Sequence, residues 1–367
     1  MGSNGDAPGK RRPDEILARR GGWVECLRVP AALFGLAARA RGALFDRGVL
    51  RARRVEVPVL SIGNLTAGGT GKTPFAILLT RALIERGWRP GLLSRGYAAS
   101  KAAEHGAGND EARMLARKLG DVPHVQNPDR VAGAAELVAL GVDAILLDDG
   151  FQHRRLARDL DFVLVDATRP YGLPARDGAA VRAFLPRGLL RESPGALRRA
   201  DAVVLTRADA VADAELARLR EELYGFAPGI ALLTAAHLPV RVMGPDGGAH
   251  PSALRGREVD LVSGIGNPDA FEDTVVRLGA RVRTHRRFPD HHDFAPGDLD
   301  GLGGGGRWLV TTEKDVVKLG GLAPHVRVLE VELELLSGRS VFDALLDALV
   351  PGRGRVERAH LHEGLHG

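Results

Sequence analysis

The chain has 367 residues, 44% hydrophobic and 26% charged, an ordinary globular composition with room for two α/β domains. Its 51 Lys and Arg against 46 Asp and Glu leave a formal charge of +5, too small to choose among nucleic acid, an anionic membrane and a phosphorylated substrate. The single cysteine, Cys26, excludes an intrachain disulfide and a cysteine-rich zinc site, and suits a reducing compartment. Aromatic residues are only 5% and no nucleic-acid-binding module is visible, so no nucleic-acid partner is expected. Nothing implies an oligomer.

Residues 1–20 are polar and read as a frayed terminus, with no basic start and long apolar core of a cleavable signal peptide. From Trp23 to Phe45 the chain turns apolar. Its longest uncharged run, Val29 to Ala38, is about half the roughly 20 residues a membrane span needs. Trp23, Leu27, Leu33, Phe34 and Leu44, with Arg28, Arg39, Arg41, Arg47, Arg51, Arg53 and Arg54 around them, suit a helix lying in the headgroup layer of an anionic leaflet. A helix packed on the protein's own surface is the alternative reading.

The stretch VPVLSIGNLTAGGTGKT, Val57 to Thr73, orders a β-branched strand, a glycine-rich loop and an amphipathic helix. That order builds a phosphate site. The backbone N–H groups of Gly68, Gly69, Thr70 and Gly71 can turn around phosphate oxygens while the helix N-terminus adds its dipole. Lys72 would reach the outer phosphates, and the Thr73 hydroxyl would hold Mg2+. Thr66 stands where the strict pattern has its first glycine, so the motif is the G-G-x-G-K-T variant.

A second strand ends at Ser94-Arg95-Gly96-Tyr97, and functional groups of parallel sheets gather at the carboxyl ends of strands, so Arg95 is placed to meet phosphate. Gly108-Asn109-Asp110-Glu111 precedes a helix, which Asn109 or Asp110 could simply cap. Val142 to Asp149 is an apolar strand tipped by two carboxylates, the form of a Walker B segment, in which Asp148 and Asp149 would hold magnesium. Further buried strands are read at Asp161 to Asp166 and Asp201 to Thr206, with the basic loop Phe184 to Glu192 between them. Near Pro239, Gly244, Pro245, Gly247 and Gly248 the glycine and proline pattern suggests a connection between domains or a hairpin. Beyond it, Asp290-His291-His292-Asp293 could begin a metal site, although no third ligand cluster accompanies it.

In family order, GNLTAGGTGKTP, SRGY, DDGFQH, LPRGLLRE, GIGNP, FPDHHDF and TTEKDVVK run through most of the chain. The ordered set resembles the tetraacyldisaccharide 4′-kinase family, the lipid A 4′-kinases of Gram-negative bacteria. The resemblance implies transfer of the ATP γ-phosphate to the 4′-hydroxyl of an acylated glucosamine disaccharide 1-phosphate at the cytoplasmic face of the inner membrane. It also implies two α/β/α domains joined by a hinge with the active site between them, and an N-terminal helix on the membrane. On its motifs, Asp110 matches the base acting on the sugar hydroxyl and His291 the histidine paired with it. His153 matches a site histidine, and Arg191 and Glu192 a polar pair near nucleotide and metal. The family's G-D-E-P is here G-N-D-E-A.

The expected architecture is α/β: a P-loop NTPase-type parallel sheet flanked by helices, a second smaller α/β domain and an N-terminal amphipathic helix. The expected division is 1–50 for the polar terminus and helix, 51–232 for the P-loop domain, 233–350 for the smaller domain and 351–367 for a mobile tail. A competing reading is a switch ATPase or GTPase of the G-G-x-G-K-T type, a metallochaperone or partitioning protein. It explains the loop and Asp148-Asp149 but leaves FPDHHDF and the arginine-rich helix without a role.

Overall fold

The computed structural model describes residues 13–96, 110–175, 180–290 and 292–350. In chain order these form α1 (Pro13–Leu17), α2 (Arg28–Asp46), β1 (Val59–Asn64), α3 (Lys72–Glu85), β2 (Pro90–Ser94), α4 (Asp110–Leu119), β3 (His124–Gln126), α5 (Arg130–Ala139), β4 (Ala144–Asp148) and β5 (Leu160–Asp166). There follow β6 (Ala202–Thr206), α6 (Asp213–Phe226), β7 (Ala231–Gly244), β8 (Gly247–Ala249), β9 (Glu258–Ser263), α7 (Pro268–Arg277), β10 (Arg281–Arg287), β11 (Trp308–Thr312), α8 (Glu313–Leu319), β12 (Arg327–Ser337) and α9 (Arg339–Asp347). Contacts divide the described residues into two units. One holds 13–96, 118–175, 180–236 and 333–350; the other holds 110–117, 237–290 and 292–332. Residues 333–350 therefore group with the phosphate-loop unit, where the sequence reading had placed them in the smaller domain.

The phosphate-loop unit is a parallel sheet in the order β3-β2-β4-β1-β5-β6-β7. Its central strands are near-continuous apolar runs because helices cover both faces. On one face Phe75 of α3, Phe162 of β5 and Phe342 of α9 meet with ring centroids 5.3–6.3 Å apart. Each fully buried ring contributes about 1.5–3 kcal/mol. Ala134 and Leu137 of α5 pack with Leu93, Ile145 and Leu147, while Leu219 and Leu223 of α6 pack with Val163 and Val203. After β3 the chain returns to β4 beside β1 and then crosses to β5 on its other side. Such a reversal of strand order opens a crevice at the carboxyl ends.

The second unit has its own parallel strands in the order β10-β9-β11-β12 and a β7–β8 hairpin turning at Pro245-Asp246. Phe271 and Val275 of α7 close its core over Val259, Leu261 and Val310. Ser263, His285 and Glu272 form a chain of 2.8 Å hydrogen bonds that ties the tips of β9 and β10 to α7. Its order imitates a nucleophile relay, yet Ser263 is wholly buried.

Residues 13–20 depart from the frayed reading; residues 1–12, on which the rest of that reading falls, lie outside the described residues. Ala18 is buried with Leu173 and Val181, and the fully buried Arg187 donates to the carbonyls of Leu17 (2.6 Å) and Arg19 (2.8 Å) and to Glu25 (2.7 Å). Helix α2 packs one face on the protein and leaves the other open. Gly35 lies so close to Phe184 that an added Cβ would come within 2.6 Å of its ring, while Trp23, Val29, Leu33 and Leu36 stand more than 60% exposed. No described helix is long and apolar enough to cross a membrane.

Candidate active site

The phosphate loop is held from three sides. Asn64 donates to Thr70 Oγ1 (3.2 Å), Thr206 donates to the Thr70 carbonyl (2.9 Å), and the Ala67 N–H donates to the Leu189 carbonyl (2.7 Å). Gly68 and Gly71 take φ of 119° and 89°, which an L side chain rarely adopts, and a Cβ at Gly68 would meet nothing within 4 Å. The loop backbone thus borders open space where a phosphate can approach. Thr66, standing where the strict pattern has its first glycine, has no positive φ, and its backbone bridges to Leu190. Lys72 and Thr73 open α3, half-buried at its positive end.

The tip of β4 faces this loop. Asp148 ends the strand, and Asp149 follows with φ 51°, a left-handed conformation uncommon outside glycine. The turn is pressed onto β1: a Cβ on Gly63 would lie 2.4 Å from Phe151 Cβ, and one on Gly150 would lie 2.7 Å from Ser61 Oγ. Asp149 accepts from Arg191 at 2.8 and 2.7 Å and lies 3.6 Å from Lys72 Nζ. Burial works against its ionisation, but Lys72 and Arg191 outweigh it and hold the carboxyl below the usual aspartate range. The Gln152 side chain donates to the Asn64 carbonyl at 2.9 Å, fastening the same turn to the end of β1. Glu192 is paired with Arg199 at 2.7 Å, whose guanidinium lies 4.5 Å from the Phe151 ring centre.

His153 is half-buried on this turn. Burial first, then the surrounding Arg130, Arg41, Arg155 and Arg158, push its pKa down to about 4. Its unfolded-state value is near 6.5, so the unfolded chain binds the extra proton between about pH 6.5 and 4, and stability falls as pH drops through that window. An NMR titration of the imidazole is expected to show a midpoint near pH 4, and His153→Gln is expected to flatten the stability profile there. A midpoint near 6.5 would contradict the buried cationic setting.

Thus the structure brings Lys72, Asp149 and Arg191 into direct contact and sets Thr73, Asp148, His153 and Glu192 around them. Arg95 is exposed just past β2. Arg130, which no sequence motif marks, is buried at the first position of α5, donating to the Asn127 carbonyl at 3.0 Å. Burial and Arg95 disfavour its charge, while Asp148 and Asp149 favour it. A cation at a helix N-terminus opposes the macrodipole, and that is the signal by which it could have been found. Asp110 begins α4, but its side chain and His291 lie outside the described residues, and so does the expected contact between them. His292 is committed locally, stacked on Phe288 and bonded to Asp298 at 2.9 Å. Among the described residues no group of three or more His, Cys, Asp and Glu is arranged to hold a metal.

The profile of the family described as LpxK, tetraacyldisaccharide-1-P 4′-kinase, matches residues 23–350. A tetraacyldisaccharide 4′-kinase of Anaeromyxobacter dehalogenans strain 2CP-1 is 44% identical over 366 residues, 92% of this chain and 93% of that protein. One of Geobacter sulfurreducens is 38% identical, covering 88% and 91% of the two chains. The crystal structure of Aquifex aeolicus LpxK in complex with ATP superposes with a TM-score of 0.68 at 29% identity, covering 89% of this chain and 99% of that one. The switch-ATPase reading accounts for none of this full-length agreement. By sequence and by fold, the chain belongs to the tetraacyldisaccharide 4′-kinase family, whose members are phosphotransferases of lipid A biosynthesis.

Proposed function

We propose that the chain transfers the γ-phosphate of ATP to the 4′-hydroxyl of a tetra-acylated glucosamine disaccharide 1-phosphate, at the cytoplasmic face of the inner membrane. The convergence of Lys72 and Arg191 on Asp149 beside an open glycine loop carries this reading. The donor set fits Mg-ATP. Loop N–H groups from Gly68 to Gly71 and the Lys72 ammonium suit phosphate oxygens, and the oxygens of Thr73, Asp148 and Asp149 suit a hard cation. Mg2+ supplies charge neutralisation on the transferring phosphoryl group.

In that role Lys72 leaves Asp149 for the phosphates, and Arg191 keeps the carboxylate oriented. Arg130 and Arg95 add positive charge on the β2 and β4 side, where negative charge accumulates during transfer. His153 stays neutral at physiological pH, a hydrogen-bonding group and not a fixed cation. Asp110 is assigned as the base on the acceptor hydroxyl and His291 as its partner. A free aspartate has a pKa of about 3.9 and is a weak base, so a neighbouring imidazole would raise its effectiveness. Asp110→Ala is expected to lower turnover by roughly 10²-fold or more. Unchanged turnover removes Asp110 from the mechanism.

The exposed apolar residues of 22–46 and the arginines beside them suit an anionic leaflet, which brings the site to a lipid-borne acceptor. The deciding experiment supplies γ-labelled Mg-ATP and the tetraacyldisaccharide 1-phosphate in mixed detergent micelles. Label in the lipid supports the proposal. ATP consumed equally with and without lipid, with no labelled lipid, returns the chain to the switch-ATPase class.

A further inference from the structure

We propose that segment 184–192 is a yoke coupling the seating of helix α2 to the phosphate loop, with Phe184, Arg187 and Arg41 as positioning residues for the transfer reaction. The inference rests on the reading of residues 68–73 as the nucleotide-phosphate site.

At one end the segment grips the N-terminal elements. The Phe184 ring fills the space over Gly35, lies 6.4 Å from the Phe34 ring centre, and has the Arg39 guanidinium 5.5 Å from its own. Arg187, fully buried, gathers the carbonyls of Leu17 and Arg19 and the carboxylate of Glu25. At the other end the same segment is bonded to the phosphate loop. The Leu189 carbonyl accepts from the Ala67 N–H at 2.7 Å, the Arg191 N–H donates to the Leu65 carbonyl at 2.8 Å, and the Arg191 guanidinium holds Asp149.

Between the ends there is little slack. Leu185 N–H donates to the Leu190 carbonyl at 3.0 Å, Leu190 N–H to the Ala183 carbonyl at 3.1 Å, and a Cβ on Gly188 would lie 2.3 Å from the Ala183 carbonyl oxygen. A segment closed on itself this tightly shifts as one piece. A second link runs in parallel: Arg41 of α2 donates to the Gln152 carbonyl at 2.9 Å, and the Gln152 amide donates to the Asn64 carbonyl at the end of β1. Arg154, two residues on, returns to the Gly42 carbonyl at 3.0 Å and to Asp46 at 2.7 Å. The helix is thus joined to both walls of the phosphate site, the Leu189 to Arg191 side and the Asp148 to Gln152 side. An anchor that only held the protein to lipid would need neither connection.

The test is the affinity of the full-length protein for Mg-ATP in detergent micelles without acceptor lipid, read by calorimetry. Arg41→Gln removes the Arg41–Gln152 hydrogen bond of the second link at an exposed position. Gly35→Val drives a side chain into the Phe184 ring and disturbs the other, and Phe184→Leu added to it makes room again. Each single change is expected to weaken ATP binding about fivefold, the scale of one net hydrogen bond or packing contact. Arg41→Lys and the Gly35→Val/Phe184→Leu pair are expected to recover most of that loss. The exposed Leu140→Ser, on the same unit, is expected to bind as the parent does. A shift through either link supports a yoke acting through that link. Parent-like ATP affinity in both Arg41→Gln and Gly35→Val, with circular dichroism showing folded protein, overturns the proposal. Failure of the parent to bind ATP, or equal binding by Lys72→Ala, overturns the underlying nucleotide-site reading instead.

Discussion

Lys72→Ala is expected to lower the rate of phosphate transfer by roughly 10²- to 10³-fold, the range for losing one preorganised group that stabilises developing charge. The fold should survive the change. Lys72 is half-buried at a helix start, and Asp149 keeps Arg191 at 2.7 Å, so no buried carboxylate is left without a cation. Lys72→Arg is not expected to rescue, because a planar fork on a longer stem cannot reproduce a point charge at the loop. The measurement is label transfer to the acceptor lipid, with thermal unfolding as the control. A rate within a few-fold of the parent would mean that the loop holds no phosphate.

The second large effect is expected at Asp149, where two substitutions separate charge from backbone. Asn keeps the shape and tolerates the left-handed conformation at φ 51°. Asp149→Asn therefore removes mainly the charge that would face the cation, and several kcal/mol of transition-state stabilisation correspond to a rate loss of roughly 10²-fold or more. Asp149→Ala is expected to lose as much activity and also to unfold at a lower temperature, since an alanine in that conformation costs about 1–2 kcal/mol. The sign of the pH effect follows from the lowered pKa. The pairing with Lys72 and Arg191 stabilises the fold in full above the ordinary aspartate range and is lost as pH falls through the folded-state value, so Asp149→Asn should be less sensitive to acid. Equal melting temperatures for the two variants would show that the backbone at 149 carries no strain.

Much of the site was legible because it is local. A strand, a glycine loop and a helix in succession mark a candidate phosphate site within Val57 to Thr73, and an apolar strand tipped by Asp148-Asp149 needs only its own residues to be recognised. The N-terminal helix was legible for the same reason, as apolar residues interleaved with arginines. Polar composition misled at residues 13–20. Their exposed-looking sequence conceals that their carbonyls are satisfied by Arg187, some 170 positions away. Arg130 was passed over because burial of a guanidinium leaves no trace in periodicity.

By itself the sequence determined the parallel α/β class, the strand, glycine loop and helix succession that carries Lys72 and Thr73, the acidic tip of β4 and the family, because each rests on residues close together in the chain or on motifs in fixed order. Only the tertiary structure decided that Arg191 clamps Asp149 across 42 positions, that α9 closes the sheet face over Phe75 and Phe162, and that α2 is tied through 184–192 to the loop it flanks. These are contacts between distant segments. Their partners are selected by which side chains the packed sheet and helices leave facing one another, and no run of neighbouring residues encodes that.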